Sequence, residues 1–308
     1  MSRIFFILIS ISFLFSACLV TSPQAQAQDQ TRGITPEEFV RTRPGKPQRS
    51  PTAKPHVAYR RTTAAAASGA GEYAQLGLTI WRLRPARSAD TGTRIIVQKD
   101  DDSIELIPER VSANAPLHIG DRIRFSFESP QTGYLYVIDR EQFADGSLGD
   151  PVMIFPTTRT RNGDNQVSAG KLIEIPAQED RPNYFTMQQS KLNNVTQSGE
   201  LLTVIVATKP IEGITIGAKA LPLTSQQVEQ WEKEWGARTE TFDLTGGAGK
   251  TWTKAEQEAG ANGTRSLTQE DPQPQTVYRV ACKPVSPLLV KVGLRYGSQG
   301  APANRSKR

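Results

Sequence analysis

The sequence predicts a mainly β fold: an antiparallel two-sheet sandwich of immunoglobulin-like type. From Tyr73 onward, short runs rich in Val, Ile, Phe and Tyr are punctuated by Gly, Pro, Asp and Asn. Runs such as LGLTIWRL and PLLVKVGLRY alternate apolar residues with others, the period of a strand with one buried face. No alternation of strand and long helix marks a parallel sheet.

The elements follow in order. LGLTIWRL puts Leu76, Leu78 and Ile80 on one face. RIRFSFES sets Ile123, Phe125 and Phe127 against Arg122, Arg124 and Ser126, a mixed strand expected nearer a sheet edge. GYLYVIDR follows through SPQTG, a hairpin connection, and PVMIFP, KLIEIP, NYFTMQ and LLTVIVAT continue the series. The run Leu201–Ala207 is apolar on both sides, as a central strand is. Next, LPLTSQQVEQWEKEWGA predicts a short amphipathic helix over about 225–235. Thr224 caps it, Gln227 closes the capping box, Leu223 staples onto Val228, and Gly236 stops it. Val228, Trp231 and Trp235 share one stripe, so the helix docks on the sandwich. QTVYRVACK and PLLVKVGLRY, joined by PVSP, predict a C-terminal β-hairpin, with Leu288, Val290, Val292, Leu294 and Tyr296 buried and Lys291, Gly293 and Arg295 outward.

Before the sandwich, the chain opens MSRIFFILISISFLFSACLVTSPQAQAQDQ. Arg3 precedes an apolar run from Ile4 to Val20, and Ala25-Gln26-Ala27 offers small residues to a peptidase. The expectation is a signal peptide over 1–27, cleaved at Ala27, and export to the periplasm, the cell surface or the medium. FSAC loosely resembles a lipoprotein box, but Phe15 and Leu19 fit it poorly, so lipidation at Cys18 is the weaker alternative. The apolar run is at the short limit for a membrane anchor. Loss of Cys18 would leave Cys282 alone, unable to form an internal disulfide and best read as a small buried hydrophobe on a strand.

Residues 28–72 contain RTRPGKPQRSPTAKP and TTAAAASGAG and read as a disordered basic linker. Within it, ITPEEFV reads as a short, transient helix capped by Thr35 and Glu38, with a docking peptide centred on Phe39 and Val40 as the weaker alternative. A β-sandwich over 73–223 follows, then the helix and C-terminal strands packed on it over 224–296, and a disordered basic tail over 297–308. The formal charge of +6 is concentrated at the ends, with +4 in 28–72 and +3 in the tail. That location excludes a folded nucleic-acid groove and suits weak attraction to anionic surfaces, including peripheral membrane contact through the linker.

TGGAGKTW, residues 245–252, invites a phosphate-loop reading. A Walker loop needs a glycine five positions before Gly249, where Leu244 stands. The stretch is therefore read as a mobile turn, followed by a brief helix capped by Thr253 with Glu256. Only two histidines are present, His56 and His118, and no serine sits in a nucleophile-elbow context. Zinc lacks ligands, and no cofactor is expected. DREQFADGSLGDP gathers Asp139, Glu141, Asp145 and Asp150, but Phe143 and Ala144 break the calcium-loop pattern. With TTRTRNGDN from the next loop, the expected binding patch is Asp139, Arg140, Asp145, Asp150, Arg159 and Arg161, beside Tyr134 or Tyr136. Asp139 with Glu174 or Glu179 would be the acid pair of a hydrolase.

The ordered set LHIGDRIRFSFESPQTGYLYVIDRE, DGSLGDPVMIFPT, NQVSAGKLIEIP and GELLTVIVATKPI, within residues 76–212, resembles the bacterial domain-of-unknown-function family 4384. The resemblance implies an extracytoplasmic accessory domain and carries over no catalytic residue. Residues 213–308 are similar to the extension of an exported subgroup. The functional expectation is a non-catalytic envelope module that binds a protein or a wall polymer, an anionic one included. The alternatives are an envelope glycan or peptide hydrolase and an assembly protein that pairs through its C-terminal strands. Oligomeric state is left open.

Overall fold

A computed structural model describes residues 36–44, 59–62, 73–99, 102–192, 194–261, 265–281 and 285–297. The chain begins with α1 (Pro36–Arg41), β1 (Tyr59–Arg61), β2 (Tyr73–Pro85), β3 (Ile95–Lys99), β4 (Asp102–Val111) and β5 (Arg122–Glu128). It continues through β6 (Gly133–Phe143), β7 (Val152–Phe155), β8 (Gln166–Val167), β9 (Leu172–Ile175), β10 (Phe185–Thr186) and β11 (Lys191–Leu192). The last elements are β12 (Val195–Ala207), β13 (Leu221–Pro222), α2 (Ser225–Trp235), β14 (Thr239–Leu244), α3 (Lys254–Gly260), β15 (Thr276–Ala281) and β16 (Leu288–Arg295).

These strands form two antiparallel sheets, a mainly β sandwich as the alternating runs predict. The first sheet has nine strands and runs β1-β14-β15-β2-β4-β3, with β5 pairing β2, β9 and β10. The second has seven strands, β11-β12-β6-β7-β13, with β16 on β12 and β8 on β6. The two longest strands are the spines. β2 pairs β15, β4 and β5, and β12 pairs β6, β16 and β11. Between the sheets lies one main core, with Leu76, Leu78, Phe125 and Phe127 from one side and Val137, Phe155, Val204 and Val290 from the other.

The helices follow their sequence signals. The Thr224 side chain accepts from the Gln227 amide at the start of α2, whose Val228 and Trp231 pack on Tyr136, Ile138, Ile205 and Leu289. α3 carries the full capping box of Thr253 and Glu256.

Four expectations are corrected. Residues 36–44 and 59–62 of the predicted linker are structured: Phe39 is wholly buried on Val277, and β1 pairs β14. Composition averaged over the segment hides this anchor. Phe39 needs the space left by a glycine, since a Cβ on Gly77 would lie 2.8 Å from its ring. The Arg43 guanidinium bonds Glu128 of β5 and the carbonyls of Thr268, Asp271 and Pro272. The rest of the linker, the signal segment with Ala27, Cys18, Cys282 and the tail beyond Gly297 lie outside the described residues.

Second, β15 and β16 form no hairpin. They enter opposite sheets, β15 between β14 and β2, and β16 beside β12. They are thus built into the sandwich rather than laid upon it. Third, the mixed strand β5 is not at an edge: it pairs β2 as well as β9 and β10, and its polar face is covered. Arg124, Ser126 and Glu128 are buried beneath α3, the glycine stretch and the 36–44 segment. Fourth, the glycine stretch is strapped down. The Arg110 amide donates to Lys250, Gly249 donates to Arg110, and Trp252 donates to Pro108. Gly249 adopts φ +83°, a conformation open to glycine, and Trp252 inserts beside Trp81 with ring centroids 6.2 Å apart.

The Arg43–Glu128 pair has 0% and 3% of its side chains exposed, so removing one partner strands the other charge without water. Arg43→Ala is expected to cost about 3–5 kcal/mol. Phe39→Ala is expected to cost a similar ~3–5 kcal/mol by opening a cavity. Urea denaturation followed by circular dichroism checks both.

Candidate functional site

The residues of the expected patch do not converge. Asp139 and Arg140 lie within β6 and, as neighbours on a strand, point to opposite faces. Arg140 is buried on the α2 side, where it donates to the Gly149 carbonyl and the Ser225 hydroxyl. Asp145 turns the β6–β7 connection and accepts from Ser147, which holds its carboxyl below the usual range. Asp150 precedes β7. Arg161 spends its guanidinium on the Leu172 carbonyl and on Asp164. Among the described residues, no group of acids, histidines or cysteines is arranged to hold a metal. The Asp139–Glu174 pairing fails geometrically. Glu174 lies on the outer side of the other sheet, bonded to Arg124 and Gln178, while Glu179 is exposed.

Arg159 alone of the patch lines a cleft, of about 360 Å³, where the 156–165 loop meets the 176–187 segment and residues 218–220. Tyr184, Phe185 and Pro182 form its apolar wall, and Arg159 and Lys219 bring cations to it. Arg159 donates to the Arg181 carbonyl at 2.6 Å, which fixes its position, and Lys219 is exposed. The Arg122 guanidinium lies 5.1 Å from the Tyr184 ring centroid and braces that wall. Asp180, the carboxylate lining the cleft, accepts on one oxygen from the Thr160 hydroxyl and the Ala177 amide. The cleft offers the cationic Arg159 and Lys219, with this one carboxylate, beside flat apolar surface.

Ile154 and Phe185 also line a second, inner cavity of about 120 Å³, which holds Asp139 and Glu200. Asp139 stands opposite Leu202, two residues along β12 from Glu200. The Glu200 carboxylate accepts from Gln197 at 2.6 Å and from the Tyr296 hydroxyl at 2.7 Å. One oxygen of Asp139 and one of Glu200 are buried without a hydrogen-bond partner. No arginine or lysine lines this cavity. Burial pushes Asp139 up to about 6, with the Glu141 charge adding to the effect and the Arg140 amide opposing it. Burial, then the Asp139 charge, pushes Glu200 up to about 7.

Sequence reading found Asp139 and Arg159 but missed Glu200, Tyr296, Tyr184 and Lys219. The register that brings Glu200 beside Asp139 has no local signature. The aromatic pair Tyr184-Phe185 beside Pro182 was a legible signal, read only as part of a strand.

Because both carboxyls titrate well above the usual carboxylate range near 4, the folded chain holds more protons than the unfolded chain between about pH 4 and 7. Stability from this pair is full below pH ~4 and is lost as pH rises through about 7. Asp139→Asn is expected to melt several degrees above the parent at pH 8 and level with it at pH 5. Asp139→Asn combined with Glu200→Gln is expected to flatten the decline, read by thermal melts across pH.

No family model, curated protein or solved structure matches the chain. The resemblance to family 4384 thus stands on its motif order alone.

Proposed function

We propose that this chain is a non-catalytic, exported binding module of the cell envelope, and that its ligand is an anionic saccharide-type polymer. The cleft beside β7 and β10 carries the reading. A volume of about 360 Å³ is the size of an ordinary small-ligand site. Tyr184, Phe185 and Pro182 give flat apolar surface against which the C–H face of a sugar ring packs. Arg159 and Lys219 meet carboxylate or phosphate groups, and Arg159 is already held by the Arg181 carbonyl, so little ordering is required on binding. Export follows from the order of charge, apolar run and small residues through Ala27.

Binding in such a site weakens with salt, because part of it is unshielded charge attraction. Calorimetric titration with a uronic-acid oligosaccharide and with a polyol-phosphate oligomer tests the reading, with a neutral oligosaccharide as control. At least one anionic probe is expected to bind and the neutral one to bind at least tenfold more weakly. Arg159→Ala with Lys219→Ala, and separately Tyr184→Ala, are expected to lower affinity about tenfold, the loss of roughly 1.4 kcal/mol. Equal binding of the neutral probe would sink the proposal.

A further inference from the structure

The inner cavity and the end cleft share a wall, and both residues of that wall are lightly held. Ile154 and Phe185 line the two spaces together. Ile154 is the extra residue of a bulge in β7: β6 pairs Val137 with Phe155 and then Ile138 with Met153, so no residue stands opposite it. Phe185 belongs to β10, a strand of two residues paired to Ile123 and Arg122 of β5. Both side chains rest on the main core only partly buried. The Phe185 ring lies 6.0 Å from that of Phe125, which also faces the cavity.

Behind this wall stand Asp139 and Glu200, each with one buried oxygen that lacks a hydrogen-bond partner. The charged and titratable groups of the surrounding elements do not offset them. Glu141 lies on the same face of β6 as Asp139 and accepts from the Ser190 hydroxyl, and Tyr296 donates to Glu200. Arg122 and Arg124 of β5, Arg140 of β6, and Lys291 and Arg295 of β16 fall on the opposite faces of their strands. β7 and β10 bring no ionisable side chain. His118 and Asp121 belong to the turn whose Gly120 amide donates to the Met187 carbonyl, at one side of the cavity. Two carboxylates confined in this way repel each other once ionised and draw water to themselves.

We propose that protonation of the Asp139–Glu200 pair sets the shape and charge of the end cleft and thereby regulates what the cleft holds. While the pair is neutral, Ile154 and Phe185 stay seated beside Phe125. Ionisation sets like charges in one small space, admits water and displaces the wall that a bulge and a two-residue strand hold. It also places negative charge behind the cleft in which Arg159 and Lys219 meet an anion. Both effects have one sign. The cleft holds an anion at low pH and releases it as pH rises through about 6 to 7, where the two carboxyls ionise. By linkage the converse follows: an anion entering the cleft draws a proton onto the pair. Control of the wall stands on the cavity alone, whereas release of an anion rests on the anionic-ligand reading of the cleft.

Two measurements on the full chain separate these parts. Without ligand, the Ile154 δ1-methyl in the shared wall and the Tyr184 ring on its cleft side are followed by NMR from pH 5 to 8, with the Ile205 methyl as reference. Both signals are expected to shift with one midpoint between about pH 6 and 7, and neither to shift in Asp139→Asn combined with Glu200→Gln. The uronic-acid and polyol-phosphate oligomers stay ionised over this range, and each is then titrated by calorimetry. Binding is expected to be at least fivefold tighter at pH 5 than at pH 8, with proton uptake near pH 6.5 read from buffers of different ionisation heat. The double variant is expected to bind equally at both pH values and to take up no proton, while His118→Gln behaves as the parent. Signals that stay flat in the parent, or a titration that persists in the double variant, overturn the proposal. Equal parent affinity at pH 5 and pH 8 overturns it as well. Titrating signals with neither oligomer bound at any pH leave control of the wall in place and remove the anionic-ligand reading instead.

Discussion

Buried arginines on the outer face of the nine-stranded sheet set the terms for everything packed there. Arg110 and Arg124 stand on strand interiors, where water would normally solvate them, and Glu128 stands on the same face. Once covered, each needs an opposite charge brought by another element. Glu256 comes from α3, Glu174 from β9 and Arg43 from the segment after α1. The guanidiniums also stack on indoles, Arg110 on Trp81 and Arg124 on Trp252. The small elements around this face are therefore not decoration on a finished sandwich. They complete a layer whose charges forbid leaving it half covered, since an unpartnered buried ion costs far more than a paired one contributes.

The opposite sheet shows a different economy. Its outer face carries an apolar patch that one amphipathic helix covers, with Val228 and Trp231 seated among Tyr136, Ile138 and Ile205, while Lys291 and Arg295 of β16 stay exposed beside it. Its inner face fails in one place. Asp139 and Glu200 stand where the core lines end, with no cation to meet them. The fold tolerates this because protonation removes the repulsion at low pH, and because the Tyr296 hydroxyl and Gln197 support Glu200. Ile154 and Phe185, which wall both this cavity and the end cleft, join the least settled part of the interior to the most ligand-like part of the surface.

How much of this was legible depended on range. Alternation located β2, β5 and β16, apolar runs between turn residues located β6 and β12, and capping residues located α2 and α3 nearly to the residue, because those signals lie within one element. Alternation says which residues share a face. It does not say whether a second layer covers the polar one, and so the mixed strand β5 read as lying nearer an edge. Adjacency misled at the C-terminus. QTVYRVACK and PLLVKVGLRY look like hairpin arms, yet in a sandwich successive strands often cross between sheets. Composition misled at the N-terminus, where the surrounding prolines and lysines made a docking segment at Phe39 and Val40 the weaker reading and concealed Arg43 altogether. Of the functional surface, residue type exposed Arg159, but only the tertiary path brings Lys219 and Tyr184 to its side.

The placement of β15 between β14 and β2 carries a consequence for the order of events in folding. Gln75 must wait for Arg279, and Glu200 for Leu294, before either spine has its neighbours on both sides. Closing such distant pairings is entropically slow, and intermediate chains expose unpaired strand edges. Both partners lie far C-terminal to the strands they pair, so any folding that precedes them leaves two incomplete sheets. Neither sheet can therefore be completed before β15 and β16 are in place, and the two closures share one late requirement.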